Sequence, residues 1–366
     1  DAILHYFHLS QSQAPLVALA ELLAEFPDHR DWADWYRCIA LYSDYLVRIT
    51  EYTKPYGMFP ASIYRIDDSS EPTFREQVEN GIRLSEGYYL RLFPVWHAFR
   101  GNNSLILSDA KALSSLARIR RNTSFLELCQ YQLQWCVGRN PFSQSLMYGE
   151  GYDYAPQYTA MSGDMVGSLP VGIQTSREKD IPYWPVNNCY NYKEVWVQPS
   201  ARWLWLMSDL AGTAKVTGKV GPCENVEFLN MITGKTASIK AGDNGEFSAD
   251  LPQGKYTVTY GSLKKSITLV PGEDYSLDLK NFFSIVKKSV SREGGKLAVE
   301  LEAVTNCALV LDLKGSNISF EKERIEVAPT NGSSVSITIR GRIIDENEAH
   351  IGVIIPNGNI KELLEI

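Results

Sequence analysis

No run approaching 18 consecutive apolar residues occurs in this chain, so no segment of the kind that spans a bilayer as a helix is expected. A basic surface is missing as well. The 36 Lys and Arg are outnumbered by 43 Asp and Glu, and the formal net charge of -7 disfavours a broad electrostatic contact with nucleic acid or anionic lipid. Histidine is scarce at five residues, and the six cysteines Cys38, Cys129, Cys136, Cys189, Cys223 and Cys307 form no CxxC. That scatter fits small buried hydrophobes rather than a zinc centre, and neither a metal site nor a cofactor is expected. HExxH, GxSxG and GxGxxG patterns are absent, which removes the zincin, nucleophile-elbow and dinucleotide readings. A neutral, hydroxyl-rich partner such as a polysaccharide or oligosaccharide is compatible with the charge.

Tryptophan is missing from the C-terminal part: all eight lie before residue 210, and the hydrophobic period changes at the same place. Up to there the pattern is helical, with apolar residues three and four apart over 14–26, 32–52, 71–99, 108–121, 123–138 and 198–212. Ser108 is a candidate N-cap, Gly138 a helix stop, and Pro199 sits in the first turn of the last helix. Residues 139–195 break the pattern into a long Tyr-, Trp- and Gly-rich loop, and loops of that length are usually functional. After Gly212 the period becomes two, in short runs such as ENVEFLN, GKYTVTY and KLAVELEA separated by turn residues. The expected architecture is multidomain α plus β. A partial α/α toroid over 1–212 is followed by two small β-sandwich domains, 213–280 and an Ig-like 281–366.

The candidate chemistry centres on Glu194, which follows an aromatic run and precedes the last helix in NYKEVWVQPSARWLWLM. An acid there is favoured simply by the free N–H groups of a helix start. Walled by Trp184, Tyr190, Tyr192 and Trp196, it would also be desolvated and could hold the proton a general acid delivers. Hydrolysis needs a second carboxylate, and Glu150, Asp153, Asp164 and Asp180 lie in the same loop without spacing that chooses among them. Trp96, His97 and Arg100 in FPVWHAFRGNNS, with Tyr148 and Tyr152, complete the candidate sugar-binding set; the alternative for each is loop packing.

CQYQLQWCVGRNPFSQSLMYGEG, MVGSLPVG and NNCYNYKEVWVQPSARWLWLMSDLAG together resemble the C-terminal part of glycoside hydrolase family 9, a six-hairpin (α/α)6 glycosidase family. The resemblance implies inverting general acid/base hydrolysis of a β-linked glucan with Glu194 as the acid. It also implies a pair of aspartates in an N-terminal part of a parent protein that precedes Asp1. Residues 213–280 resemble a carboxypeptidase-regulatory-like β module, which implies export to the periplasm or cell surface. YAPQYTAMSG stands where that family carries a histidine-arginine stretch. The leading expectation is therefore a secreted bacterial glycoside hydrolase engaged in polysaccharide degradation, with this portion inactive alone if its partner carboxylate is missing. The alternatives are a non-catalytic glycan-binding or cell-surface interaction protein, and a polysaccharide lyase using Tyr190 or Tyr192 with Arg100.

Overall fold

The computed structural model describes residues 13–68, 70, 72–94, 101–158, 163–176, 178–279, 281–330, 333–345, 351–356 and 362–365. Trp96, His97 and Arg100 lie outside the described residues. The chain divides into two compact units: Asp1–Ala20, Tyr42–Ala117 and Ser124–Ala211 form one, and Glu21–Leu41, Arg118–Thr123 and Gly212–Ile366 the other.

QAPLVALAELLAE forms α1 (Gln13–Glu25) and WADWYRCIALYSDYLVRI forms α2 (Trp32–Ile49). Their inward stripes follow the helical period, Leu16, Ala20 and Leu23 on one helix and Tyr36, Ile39, Ala40 and Leu46 on the other. After β1 (Ser62–Arg65), the described part of 71–99, residues 72–94, departs from the helical expectation. It holds the short α3 (Pro72–Glu79), with proline at its first position, and then the antiparallel strands β2 (Ile82–Ser85) and β3 (Tyr88–Arg91). A sheet in the order β1-β3-β2 results. Tyr64, Phe74, Val78 and Leu105 close a core against it, joining sheet, α3 and the next helix.

That helix, α4 (Asn103–Arg120), is buried from Asn103 through Ala117. It starts ahead of Ser108, which is interior rather than a cap and donates its Oγ to Ser104 O at 2.6 Å. The first amides of α4 are instead met by main-chain carbonyls, Asn102 N to Ile173 O at 3.0 Å and Asn103 N to Val171 O at 3.1 Å. Most of its buried polar side chains are also paired, Ser104 Oγ excepted. Lys111 Nζ reaches Asp209 and Ser115, Ser114 Oγ donates to Asp209, and Asp109 accepts from Tyr42 OH at 3.0 Å. Burial, reinforced by Asp109, raises the Tyr42 phenol well above its ordinary range. Before the sandwiches follow α5 (Ser124–Cys136), β4 (Gln174–Thr175), β5 (Pro182–Tyr183), the single turn α6 (Tyr190–Lys193) and α7 (Val197–Ala211).

These helices correct the expected partial (α/α)6 toroid. The described residues hold seven α-helices, one of them a single turn, against twenty strands, and a three-stranded sheet stands between α2 and α4 where helical hairpins would have to continue. The helical period over 71–99 misled because Phe74 and Val78 carry it in α3, whereas IRLS and YYLR pair as extended chain.

In the second unit the alternation of period two builds two sandwiches. The first comprises β6 (Ala214–Lys219), β7 (Asn225–Asn230), β8 (Thr236–Lys240), β9 (Glu246–Leu251), β10 (Gly254–Tyr260), β11 (Leu263–Leu269) and β12 (Asp274–Asp278). Its sheets run β11-β10-β7-β8 and β12-β6-β9, with β12 parallel to β6. The inward residues of both sheets, among them Val216, Phe228, Phe247, Val258 and Leu277, make one core. The second comprises β13 (Phe283–Glu293), β14 (Lys296–Thr305), β15 (Leu309–Ser316), β16 (Ile318–Phe320), β17 (Arg324–Val327), β18 (Val335–Ile343), β19 (Ile351–Pro356) and β20 (Glu362–Glu365). Its sheets run β13-β14-β18-β16 and β17-β15-β19-β20, and its core includes Val299, Leu301, Leu311 and Ile339. Adjacent phenylalanines join the sandwiches: Phe282 belongs to the first core and Phe283 to the second. Lys265 Nζ donates to Phe283 O at 3.0 Å and Phe282 N to Asn306 Oδ1 at 2.8 Å, which stiffens the junction.

The cysteines divide by environment. Cys129 and Cys136 on α5 are buried, and burial pushes both thiols well up, whereas Cys38 and Cys223 are exposed. A maleimide at neutral pH is expected to modify Cys38 and Cys223 first, and Cys129 and Cys136 only after denaturation, as read by peptide mapping. Early labelling of Cys136 would contradict the placement of α5.

Candidate functional site

The described residues between α5 and α7 have little regular structure, yet they are pinned at many points. Asn140 Nδ2 donates to Trp135 O at 2.8 Å and Gln144 O at 2.9 Å, while its Oδ1 accepts from Phe142 N, so the chain turns sharply after α5. Arg139 ties the same turn to Pro55 O at 2.9 Å and lies over the Tyr131 ring. Ser145 pairs through its backbone with Asp153 and Ala155, and Tyr148 N donates to Ser168 O while Gly167 N donates to Tyr148 O. Leu169 N donates to Ser200 Oγ at 3.0 Å, which fastens the segment to α7.

These ties leave a groove of about 480 Å³ between residues 147–151, residues 167–169 and α7. Met147, Leu169 and Trp203 supply apolar lining, with Val137 and Leu204 at its edge. Leu204 is 66% exposed, although it lies on a helix whose opposite face is buried through Arg202 and Leu206. The Trp203 Nε1 is buried without a hydrogen-bond partner. Among the described residues, Glu150 is the only charged member of the lining. It stands between Gly149 at φ +75° and Gly151 at φ +95°, conformations that a side chain would strain, so the two glycines let the loop turn tightly and present the acid at the surface.

The other sequence candidates are dispersed. Glu194 does not line this groove. It is half-buried, in extended backbone three residues ahead of α7. Its Oε2 accepts from Trp196 Nε1 at 2.9 Å, and its carbonyl accepts from Val171 N at 2.9 Å. The aromatic residues around it pack on one another: Tyr190 with Tyr158, and Tyr192 edge-on to Tyr183. Trp184 is buried, donates to Gln144 Oε1 at 2.9 Å, and so shares that glutamine with Asp153, which accepts from Gln144 Nε2. Tyr148 donates to Asp164 Oδ1 at 2.8 Å, whereas the Tyr152 side chain is fully exposed. Asp180 is a buried structural acid bound to Arg91 and to the amides of Leu92 and Phe93. The neighbour of Glu194, Lys193, is the buried member of that run: its Nζ donates to the carbonyls of Pro185, Val186 and Asn187 at 2.8–3.1 Å, and burial lowers its pKa. Sequence reasoning missed Trp203 as a groove residue, because on α7 it reads as one more apolar helix position.

No known protein family matches this sequence, and no curated protein does. Among solved structures the chain is similar over part of its length to a DUF3823 family protein from Bacteroides ovatus, at 12% identity and TM-score 0.16, covering 41% of this chain and 94% of that one. A DUF3823 family protein from Parabacteroides merdae gives 16% identity and TM-score 0.17, covering 42% and 96%. A provisionally assigned carbohydrate-binding protein from Bacteroides uniformis gives 8% identity and TM-score 0.18, covering 43% and 100%. With no family matched and no toroid built, the family 9 resemblance, the carboxypeptidase-regulatory-like resemblance and the hydrolase assignment drawn from them are corrected.

Proposed function

We propose that the chain is a non-catalytic glycan-binding protein whose first unit holds a sugar chain in the groove beside α7. The observation that carries this reading is the lining itself: an indole and aliphatic side chains with a single carboxylate, Glu150. Sugar rings present an apolar C–H face that stacks on aromatic and aliphatic surface, and ring hydroxyls that seek a few fixed polar groups. General acid/base hydrolysis needs two carboxyl groups flanking one bond. The groove offers one, and Glu194 is held elsewhere by the Trp196 indole. Those facts favour recognition over turnover. No described helix is long and apolar enough to cross a membrane. The reading places the protein at the cell surface or in the periplasm, where polysaccharide is met.

Affinity electrophoresis against soluble polysaccharides, followed by calorimetry with fragments of those retained, tests it. Trp203→Ala is expected to weaken binding about tenfold or more, in keeping with the loss of an aromatic contact surface, and Leu204→Ser at the exposed edge by less. Reducing ends should not accumulate over days. Undiminished retention of both variants, or steady release of reducing sugar, would overturn the proposal.

A further inference from the structure

We infer that the groove selects neutral sugar chains over acidic ones and that Glu150 is its specificity-determining residue; the inference rests on the glycan-binding reading above. Glu150 is the sole charged side chain among the described lining residues, so a ligand entering there meets one negative charge and no positive one. The charges nearby in sequence do not offset it. Asp153 and Asp164 add negative charge, each holding a single neutral donor, from Gln144 and Tyr148. Arg139 is committed to Pro55 O and the Tyr131 ring, and Lys193 to three backbone carbonyls. A uronate or sulfate in the groove would therefore face like charge with no cation among the described lining residues, which discriminates strongly between partners.

The presentation of Glu150 suits a positive role as well. Its amide donates to Met147 O at 3.3 Å, Tyr148 is tied by backbone bonds to Gly167 and Ser168, and a Cβ at Gly149 would lie 3.0 Å from Val166. The acid thus stands on a short, braced turn, and little order is lost when it is engaged. A carboxylate only accepts hydrogen bonds, and its two oxygens match the two O–H donors of a vicinal diol. The ligand class is a neutral chain whose ring offers such a diol while its C–H face lies against Trp203.

The test uses the full chain and a soluble glucan, a mannan and a galactan, each paired with its own C6-carboxylate made by selective oxidation. For whichever neutral member binds, the oxidised partner is expected to bind about tenfold more weakly at low salt, with the gap closing as salt is raised. Glu150→Gln should shrink the gap to about threefold or less, and Glu150→Lys should reverse it. Equal or tighter binding of the oxidised partner by the wild-type chain, or an undiminished gap in Glu150→Gln, overturns the charge filter and leaves glycan binding standing. Failure of every neutral glycan to bind, or capture of a basic peptide in their place, overturns both readings together.

Discussion

Asp180→Ala is expected to lower the stability of the first unit by about 3–5 kcal/mol, the typical cost of stranding one member of a buried ion pair. Arg91 is 1% exposed, its Nη2 stands 3.3 Å from Asp180 Oδ1, and its Nη1 donates to Gln77 O. Removing the acid leaves the guanidinium without its counter-charge and also orphans the amides of Leu92 and Phe93. Both partners' pKa shifts show that burial outweighs the attraction between them: desolvation raises Asp180 and lowers Arg91. Such a pair is worth less than its geometry suggests. Arg91→Met with Asp180→Asn, which keeps an acceptor for one of the two amides, should recover about half of the loss or more. Denaturant unfolding followed by tryptophan emission reports mainly on this, since six of the eight tryptophans, all but Trp32 and Trp35, belong to the first unit. Additive losses in the double variant would refute the argument. The sign of the pH effect also follows. A carboxyl whose folded pKa exceeds its unfolded value binds its proton more readily when folded, so its contribution falls as pH rises through the unfolded value toward the raised one, and Asp180→Asn removes that slope.

Local periodicity revealed what local forces decide. The ends of α1, α2, α5 and α7 were legible within a few residues, because apolar spacing and Pro199 act within a turn or two. Alternation in ENVEFLN and KLAVELEA showed the strands of the sandwiches for the same reason. What stayed hidden depends on partners distant in sequence. The start of α4 is set by carbonyls of Val171 and Ile173, so Ser108 looked like the better cap. The described residues of 137–196 owe their order to bridges such as Tyr158 with Glu194 and Pro170 with Val195, which no spacing announces.

The site was harder still. Tyr190, Tyr192 and Trp196 read as walls of a cleft around Glu194, but rings satisfied by other rings, and an indole bonded to the acid itself, leave that carboxyl as part of the packing. Glu150 could be singled out from its flanking glycines. Its groove could not, because Met147, Leu169 and Trp203 come together only when the segment folds back on α7.

The motif MVGSLPVG supplies the second large effect. Gly167→Ala and Gly172→Ala are the same chemical change a few residues apart, and they are expected to differ in cost severalfold. Gly167 has φ +84° and open space for 4 Å around where a Cβ would stand, so its substitution carries only the left-handed backbone penalty, about 1–2 kcal/mol. Gly172 has φ +105°, and a Cβ there would fall 2.5 Å from Asn103 Cγ and 2.9 Å from Asn103 N. Neither side yields easily. Gly172 N donates to Tyr192 O at 3.1 Å, Asn103 N to Val171 O, and Asn103 Nδ2 to Pro170 O at 3.0 Å, so a shift that relieves the overlap breaks the bonds that begin α4. Backbone strain and overpacking together predict a loss of about 3–5 kcal/mol for Gly172→Ala. Parallel denaturation curves measure the difference. Equal losses would mean that α4 starts without the support of the 170–172 turn, and the buried helix would need another account of its first amides.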